Sequence, residues 1–397
     1  MRVLHVTSTY PRAPGDRTGP FLADLVGAER DAGLDVRVVA PSGPGVVPMD
    51  GVTRFRYAPA RAEVLAYRGG LMSASSGARA VMVPPYVASM AATAAREARR
   101  WRADVVHAHW WLPGGLAAIP AGRAAHAPVV VTLHGSDVAL AHRGYARPLA
   151  RAVVRRAAAV SAVSVALAEE ASELLGVEVR VTAMPVMVPA AEQAEHATSG
   201  APDASVAPDA SVAPATGARR GVVAVGRFAP EKGFDVLLDA LRVAPVPLTL
   251  VGSGPLEAAL RDQARGLEVR FTGDVGRAEL HALLAGAAAV VVPSRREGLG
   301  LVAVEAILLG TPVIASHTGG LPEALGAFGS AAPSYGEVLE VPGGLLVPPA
   351  HVGALASALE RAATLGPPAP LAVAGAARHR PDAVAAHHLA LYESLLA

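Results

Sequence analysis

The stretch Val292-Pro-Ser-Arg-Arg-Glu-Gly-Leu-Gly-Leu-Val-Ala-Val-Glu305 decides the fold, because it joins two apolar segments through a turn that contains two glycines. The residues before the turn, 289–292, form the continuous apolar run of a strand that is buried on both faces of a parallel sheet. We expect a helix to begin near Leu299 and to end at Gly310. The backbone N–H groups at 298–301 would then form an anion site at a helix N-terminus.

A second loop, Gly226-Arg-Phe-Ala-Pro-Glu-Lys-Gly233, follows a similar apolar strand. It contains Lys232, the single lysine among 35 Lys and Arg residues, five positions after Arg227. Parallel sheets bind ligands beyond the carboxyl ends of their strands, so we expect these two cations to bind phosphate. The alternative is a solvated loop with two surface cations.

Apolar runs and Ala/Leu/Arg-rich helical patterns alternate along the chain, which is typical of βαβ units and predicts an α/β fold with two Rossmann-like sheets. The expected strands are 3–6, 36–40, 105–108, 129–133, 159–163 and 179–183 in the first half, and 222–225, 248–251, 269–271, 290–292, 312–315 and 345–347 in the second.

A Pro/Ala/Ser-rich tract separates the two sets of strands. Residues 190–220 contain Ala-Pro-Asp-Ala-Ser-Val twice in succession, and such a tract cannot bury enough apolar surface to offset its ordering entropy. We therefore expect domains at 1–189 and 221–375 with a linker or insertion between them. Residues 376–397 form a C-terminal segment whose periodic stretch, 381–396, should be an amphipathic helix. This helix could return to the N-terminal domain, and periodicity leaves its packing open.

Composition excludes several classes of protein. The formal charge of +1 gives no bulk attraction to nucleic acid. Apolar content is 52%, yet no uninterrupted apolar span reaches the ~18 residues of a membrane crossing. The chain has no cysteine, and a strand directly follows Met1-Arg2 without the regions of a signal peptide, so a cytoplasmic location is expected.

Together the two loops resemble the retaining glycosyltransferases of family 4, which have the GT-B fold of two Rossmann-like domains facing each other across a cleft. In that family two glutamates eight positions apart bracket a glycine-containing turn, as Glu297 and Glu305 do. An Arg and a Lys five positions apart hold the donor diphosphate, as Arg227 and Lys232 would. Further matching segments are 131–137, 104–109 with 113–115, 250–255, and 310–315 leading to 318–323.

The resemblance implies transfer of a sugar from a nucleotide-diphosphate sugar to a hydroxyl of a small-molecule, glycan or lipid-linked acceptor, with retention of configuration. It gives the catalytic residues as Glu297, His134, Arg227 and Lys232. It gives the donor-binding residues as Gly19, Arg227, Lys232, Gly252, Gly273, Glu297, Gly298, Leu299, Gly300, Leu301 and Glu305. His109 and Asp137 would lie on the acceptor side. In this scheme His134 faces the donor sugar and Gly19 closes over the phosphate.

Two segments depart from the family pattern. Pro20 stands where the second of two paired glycines often lies, and 183–189 lacks the usual Pro-Asn-Gly-Val-Asp. No Asp-x-Asp occurs, so neither a metal clamp nor a cofactor is expected. His107, His109 and His134 suggest a metal cluster, but no carboxylate or Cys partner stands at metal-ligand spacing.

Other functions remain as alternatives. The same fold could support a nucleotide-sugar epimerase or hydrolase, which would differ by turning over the donor without an acceptor. A nicotinamide-dependent dehydrogenase is disfavoured because Gly252-Ser-Gly254 is an incomplete dinucleotide fingerprint. A non-catalytic nucleotide-sugar sensor is a further alternative.

A cationic stripe suggests a peripheral membrane contact. Arg143, Arg147, Arg151 and Arg155 are spaced by four, which would place them on one face of a helix. Four more arginines, at 96, 99, 100 and 102, surround Trp101. The stripe could bind anionic lipid or an anionic acceptor, and the alternative is a solvated face.

Overall fold

A computed structural model describes residues 1–16, 18–63, 65–67, 81–189 and 221–397. The expected linker at 190–220 and Arg17, beside Gly19, lie outside the described residues. The chain divides into two compact units: Met1–Pro185 together with His379–Ala397, and Val186–Arg378.

The first unit is built on a seven-stranded parallel sheet of order β3-β2-β1-β4-β5-β6-β7. Its strands are β1 Arg2–Val6, β2 Asp35–Pro41, β3 Val52–Phe55, β4 Val105–His109, β5 Val129–Leu133, β6 Ala159–Ala162 and β7 Arg180–Val181. Its helices before the second unit are α1 Pro20–Asp31, α2 Val83–Trp101, α3 Leu116–Ala125, α4 Ser136–Ala141, α5 Arg147–Val154 and α6 Val165–Leu175. Every residue of β4 and β5 is buried, as expected for central strands covered on both faces.

The second unit has a seven-stranded sheet of order β10-β9-β8-β11-β12-β14-β13. Its strands are β8 Val222–Val225, β9 Leu248–Val251, β10 Val269–Gly273, β11 Ala289–Val292, β12 Val313–Ser316, β13 Leu339–Val341 and β14 Gly344–Val347. Its helices are α7 Phe234–Val243, α8 Glu257–Gln263, α9 Arg277–Gly286, α10 Leu301–Leu308, α11 Leu321–Ala324, α12 Val352–Glu360 and α13 Pro370–Ala377. The edge strand β13 runs antiparallel to β14, while the other pairings are parallel.

The last helix, α14, spans Pro381–Leu396, as its apolar periodicity predicted. It belongs to the first unit. Two of its side chains, His388 and Tyr392, are buried and form hydrogen bonds to Glu29 of α1. The carboxyl-terminal segment therefore completes the packing of the unit that contains the beginning of the chain.

The predicted α/β fold with two doubly wound, Rossmann-like units is confirmed. The expectation of one helix carrying four arginines was wrong. Helix α4 ends at Ala141 and α5 begins at Arg147, so α5 contains only Arg147 and Arg151 of the stripe. Gly144 lies in the intervening turn, where its flexibility favours a break. Among the described residues, no helix combines the length and apolar character that a bilayer crossing needs.

Candidate active site

The loop after β8 is joined to the loop after β11, a neighbouring strand. Arg295 N donates to the carbonyl oxygen of Glu231 over 2.8 Å. Gly233 permits the close approach: its φ is 67°, and a Cβ there would lie 2.1 Å from the carbonyl oxygen of Pro293. The two loops that the sequence singled out therefore meet beyond the carboxyl ends of adjacent strands.

Lys232 and Glu297 form an ion pair where the two loops meet. Lys232 Nζ lies 2.6 Å from Glu297 Oε2, and Ser294 Oγ donates to the same oxygen over 3.1 Å. The two side chains are 27% and 14% exposed, so the pair is sheltered but open to a ligand. Two of the expected catalytic residues are thus in direct contact.

A second ion pair supports the first. The guanidinium of Arg295 donates to both carboxylate oxygens of Asp235, with distances of 2.7 and 2.6 Å. This two-pronged contact lowers the pKa of Asp235 below its ordinary value. It ties the loop after β11 to the first turn of α7, and so steadies the backbone on which Glu297 stands.

Glycines shape the turn between Glu297 and α10. Gly300 has a φ of 86°, and a Cβ there would lie 2.5 Å from Leu321 Cδ2. Gly319 approaches so closely that a Cβ would lie 1.8 Å from the carbonyl oxygen of Glu297. Helix α10 begins at Leu301, two residues after the expected start. Its first N–H groups therefore follow directly on the turn that carries Glu297.

The remaining donor-side residues lie on the same elements or beside them. Arg227 is exposed in the loop after β8, and Glu305 is half-buried one turn into α10. Leu299 is buried, so a ligand could use only its backbone. Gly252 N donates to Gly273 O over 2.8 Å, at the ends of β9 and β10. The backbone of Gly298, between Glu297 and Leu299, accepts a hydrogen bond from Gly320 N over 3.2 Å.

In the first unit, Asp137 is bound by backbone groups. Its Oδ1 accepts from His134 N and Gly135 N over 3.1 and 3.0 Å, and its Oδ2 accepts from Trp111 N over 3.2 Å. Burial raises its pKa above the ordinary value even though these hydrogen bonds favour the carboxylate. Asp137 therefore holds the turn that positions His134, and its oxygens are occupied by the protein itself.

The ring of His134 lies among aromatic side chains. Its centroid is 4.5 Å from that of Trp110, 5.5 Å from that of Phe21 and 5.3 Å from that of His109. Burial lowers the pKa of His134 to about 3, so the ring is neutral. Gly19 precedes Phe21 as the N-cap of α1 in the left-handed conformation, with a φ of 63°. The aromatic rings form a surface of the kind on which a sugar can pack.

A buried hydrogen-bonded chain leads inward from His134. His134 Nε2 lies 3.2 Å from His109 Nδ1, His109 Nε2 lies 2.9 Å from His5 Nδ1, and His5 Nε2 lies 2.7 Å from Glu29 Oε2. Burial raises the pKa of Glu29, but His5 and His388 outweigh burial and hold that pKa well below its ordinary value. Glu29 is therefore a carboxylate at the inner end of the chain.

Two buried groups within the described residues bring potential metal-ligand atoms within 4.8 Å of one another: His5, His107 and His109, and Glu29, His107 and His388. Apart from His388 Nε2, which has no hydrogen-bond partner among the described residues, their ligand atoms already bind protein groups. His107 Nδ1 lies 2.7 Å from Tyr392 Oη and its Nε2 lies 2.7 Å from Thr132 Oγ1. His5 and His109 use both ring nitrogens in the chain just described. We therefore assign both clusters to one hydrogen-bond network.

Two family profiles match this chain. The profile described as "Glycosyl transferases group 1" matches residues 219–364, and the profile described as "Glycosyl transferase 4-like domain" matches residues 18–187. The two matched segments together take in well over half of the chain. The chain belongs to the group 1 glycosyltransferases. The predicted family and enzyme class are confirmed.

Relatives of this glycosyltransferase align along most of its length. A Bacillus subtilis protein described as the teichuronic acid biosynthesis glycosyltransferase TuaC is 28% identical over 82% of this chain and 83% of the relative. The GDP-mannose-dependent alpha-(1-6)-phosphatidylinositol monomannoside mannosyltransferase of Mycobacterium tuberculosis is 29% identical over 81% and 82%. Anabaena Alr3699/HepE in complex with UDP-glucose superimposes with a TM-score of 0.66 at 21% identity, covering 99% of this chain and 100% of that chain. The structural likeness shows the shared fold.

Sequence reasoning missed part of the polar network in this glycosyltransferase. It singled out His107, His109 and His134 but not Glu29 or His5, although both stand where an apolar residue would be expected. Glu29 follows Leu22, Leu25 and Val26 on the buried face of α1, and His5 interrupts an apolar strand. A polar side chain in a buried pattern signals a buried partner.

Proposed function

We propose that this glycosyltransferase uses a nucleotide-diphosphate sugar as donor and a hydroxyl group as acceptor, with retention of configuration and without a metal. The observation that carries the proposal is the 2.6 Å contact between Lys232 Nζ and Glu297 Oε2 beside the start of α10. An ammonium and a helix N-terminus suit a diphosphate, and a carboxylate suits the hydroxyls of an attached sugar.

Donor binding would exchange the partners of this ion pair. A diphosphate competes with Glu297 for the ammonium of Lys232, which leaves the carboxylate able to accept hydrogen bonds from sugar hydroxyls. Arg227 offers a second, exposed cation in the same loop. Each charged hydrogen bond is worth about 1.5–3 kcal/mol, so these groups can stabilise the charge that develops on the departing diphosphate. Glu305, further along α10, is assigned to the ribose hydroxyls, as the family resemblance implies.

The proposed chemistry needs no metal because cations and helix N–H groups supply the charge compensation. The bond between the sugar C1 and the phosphate oxygen breaks, and a bond between C1 and the acceptor oxygen forms on the same face of the sugar. The departing phosphate oxygen takes the proton of the acceptor hydroxyl. His134, with Phe21 and Trp110 around it, is assigned to sugar contact in the first unit.

The proposal is tested in two steps. A thermal-shift screen across nucleoside diphosphates and their sugars identifies the donor, because a ligand that binds the folded state raises the melting temperature. Release of the nucleoside diphosphate is then measured with and without candidate acceptors, in EDTA. Stimulation by an acceptor in EDTA, with a product of unchanged anomeric configuration, is expected. Donor turnover that ignores every acceptor would favour the epimerase or hydrolase alternative and overturn the transferase mechanism.

We further propose that a basic surface contacts anionic lipid. The basic surface consists of Arg143, Arg147, Arg151, Arg155 and Arg156. Arg147, Arg151, Arg155 and Arg156 line a cavity of about 540 Å³. Tyr145 and Leu149, 73% and 43% exposed, add apolar contact area beside the cations. With the basic surface on the membrane, the enzyme could reach a lipid-linked acceptor.

Vesicle co-sedimentation tests this contact. The protein should sediment with phosphatidylglycerol vesicles at low salt and not with phosphatidylcholine vesicles, because the attraction depends on anionic lipid. Arg155→Ala should weaken sedimentation, whereas the control Arg265→Ala, whose side chain is 83% exposed in the other unit, should not. Equal sedimentation with both kinds of vesicle, or with neither, would refute the lipid contact.

A further inference from the structure

The hydrogen-bonded chain from Glu29 to His134 has a defined direction. Because Glu29 is a carboxylate, His5 Nε2 must carry the proton that it shares with Glu29 Oε2. When His5 is neutral it has a lone pair on Nδ1, so His109 donates from Nε2. His109 Nδ1 is left as the acceptor for His134 Nε2–H. With Glu29 a carboxylate and His5 neutral, each tautomer follows from the one before it.

The outer end of the chain is the part that a substrate could use. With its proton on Nε2, His134 keeps a lone pair on Nδ1. That nitrogen has no hydrogen bond to any residue that the structure describes, and the His134 ring is half-buried. A neutral His134 in this tautomer accepts a hydrogen bond at Nδ1 and does not donate one there.

The inner end is built to receive a positive charge. Glu29 Oε1 accepts from His388 Nδ1 and from Tyr392 Oη, each over 2.8 Å, while Oε2 is left to His5. The Nε2 atom of His388 is buried and has no hydrogen-bond partner among the described residues. A second proton on His388 would therefore leave a buried N–H unsatisfied, which is costly. His5 is the ring that can carry the extra proton beside the carboxylate.

We propose that Glu29 is a positioning residue that sets the hydrogen-bonding direction of His134 through His5 and His109, and that one proton reverses this direction. When a proton binds His134 Nδ1, the Nε2 proton of His134 passes to His109 Nδ1. The Nε2 proton of His109 then passes to His5 Nδ1. The chain ends with His5 as an imidazolium paired with Glu29, and with His134 neutral but carrying its proton on Nδ1. His134 thereby changes from an acceptor to a donor at its outer nitrogen.

The groups that face this chain are consistent with the reversal. His107 on β4 is neutral, because burial lowers its pKa well below the ordinary value. Burial likewise lowers the pKa of His109, so the charge does not rest there. Tyr392 on α14 stays protonated, since burial raises its pKa well above the ordinary value. The other titratable groups that contact the chain among the described residues are Glu29, His388 and Asp137, whose carboxylate accepts from His134 N.

Nitrogen NMR of the native protein tests the chain without any substrate. With ¹⁵N-labelled histidine, and with His134→Gln and His5→Gln spectra for assignment, His134 should carry its proton on Nε2 at neutral pH. On acidification His5 should become the imidazolium while His134 becomes the neutral Nδ1–H tautomer. An imidazolium at His134, an Nδ1–H tautomer already at neutral pH, or no tautomer change before unfolding would each overturn the proposal.

Kinetics provides the second measurement, and it rests on the proposed function of His134 as a sugar contact. Glu29→Gln should shift the acid limb of the kcat profile downward by about 1–3 pH units, because the charge that stabilises the His5 imidazolium is lost. Tyr392→Phe is the matched control. It removes the hydrogen bond from Tyr392 to Glu29 Oε1 but keeps the contact between His5 and Glu29 Oε2, so the acid limb of the kcat profile should shift by less than about 1 pH unit. An unshifted limb in a folded Glu29→Gln protein counts against the chain. Complete failure to turn over nucleotide sugars would instead reject the proposed function. The NMR result would still decide whether Glu29 sets the tautomer of His134.

Discussion

Replacing Lys232 with alanine removes the ammonium on which the donor assignment depends. In the structure this group makes a 2.6 Å contact with Glu297 Oε2, and the two side chains are 27% and 14% exposed. Alanine keeps the backbone of the short helix Pro230–Lys232, so the change is confined to the charge and its stem. The variant therefore separates the contribution of the cation from that of the loop.

The expected loss of donor affinity follows from two effects. One charged hydrogen bond to phosphate is lost, worth about 1.5–3 kcal/mol, or roughly 10- to 150-fold in Kd. In addition, Glu297 keeps the hydrogen bond from the hydroxyl of Ser294 but loses its cationic partner, so its negative charge opposes the diphosphate. The loss should therefore lie at or above the upper part of this range. Folding should suffer much less, by about 1 kcal/mol or below, because the pair is partly exposed to solvent.

Isothermal titration calorimetry with the nucleoside diphosphate found by thermal shift measures the effect. Lys232→Arg should retain part of the affinity, since it keeps the charge but not the compact ammonium geometry. Arg265→Ala, an exposed cation in the same unit, serves as the control for a general change in charge. If Lys232→Ala bound the diphosphate with native affinity and native stability, the phosphate assignment would be wrong.

Three further predictions address other parts of the structure. Glu297→Gln should keep nucleoside-diphosphate affinity within about threefold but lower kcat by about 10²-fold, because a neutral amide stabilises the transferring sugar less well; equal kcat in a coupled assay would contradict this. In urea denaturation, Gly233→Ala should lower the free energy of unfolding by more than about 2 kcal/mol, because the new Cβ would lie 2.1 Å from the Pro293 carbonyl oxygen. The control is Gly366→Ala, whose Cβ would meet no atom within 4 Å. It should change the free energy of unfolding by less than about 0.5 kcal/mol. The pKa of His134 is lowered to about 3, below the ~6.5 of the unfolded chain, so the unfolded state binds the extra proton and stability falls as pH drops below ~6.5. Between pH 7 and pH 5, the unfolding free energy of His134→Gln should fall less steeply than that of the native protein. An unchanged slope of unfolding free energy against pH would refute the assignment of this stability loss to His134.

Sequence analysis located every interior strand of the two sheets, and most residues of these strands are buried; it also located two edge strands, β7 and β10, none of whose residues is buried. Parallel strands covered by helices are continuous apolar runs, and these can be recognised without tertiary information. The two strands that were missed, β3 and β13, lie at sheet edges. β3 contains Arg54 and β13 contains Glu340, and most of their residues are only partly buried. Neither β3 nor β13 has a continuous apolar run to reveal it.

The contact between Lys232 and Glu297 could be expected although the two residues are 65 positions apart. Both follow apolar strands, and strands β8 and β11 lie side by side. Strand ends in a parallel sheet converge on one edge, so loops after neighbouring strands meet. No comparable topological rule applies to the arginine stripe. A spacing of four residues fits a helix, but it does not show that the helix is unbroken across Gly144.

The network around Glu29 shows where sequence reasoning fails for a physical reason. Glu29 on the apolar face of α1 indicates that a polar partner must exist, because an unpaired buried carboxylate is too costly. The sequence pattern does not indicate which residue that partner is, since His388 lies 359 positions away. Periodicity located α14 but could not assign it to a unit, since an apolar face fits any apolar surface. The buried carboxylate supplies the missing specificity: α14 brings His388 and Tyr392 to Oε1, which leaves Oε2 for His5. On this argument α14 is part of the polar network that orients His134, and its contribution to the first unit goes beyond apolar cover.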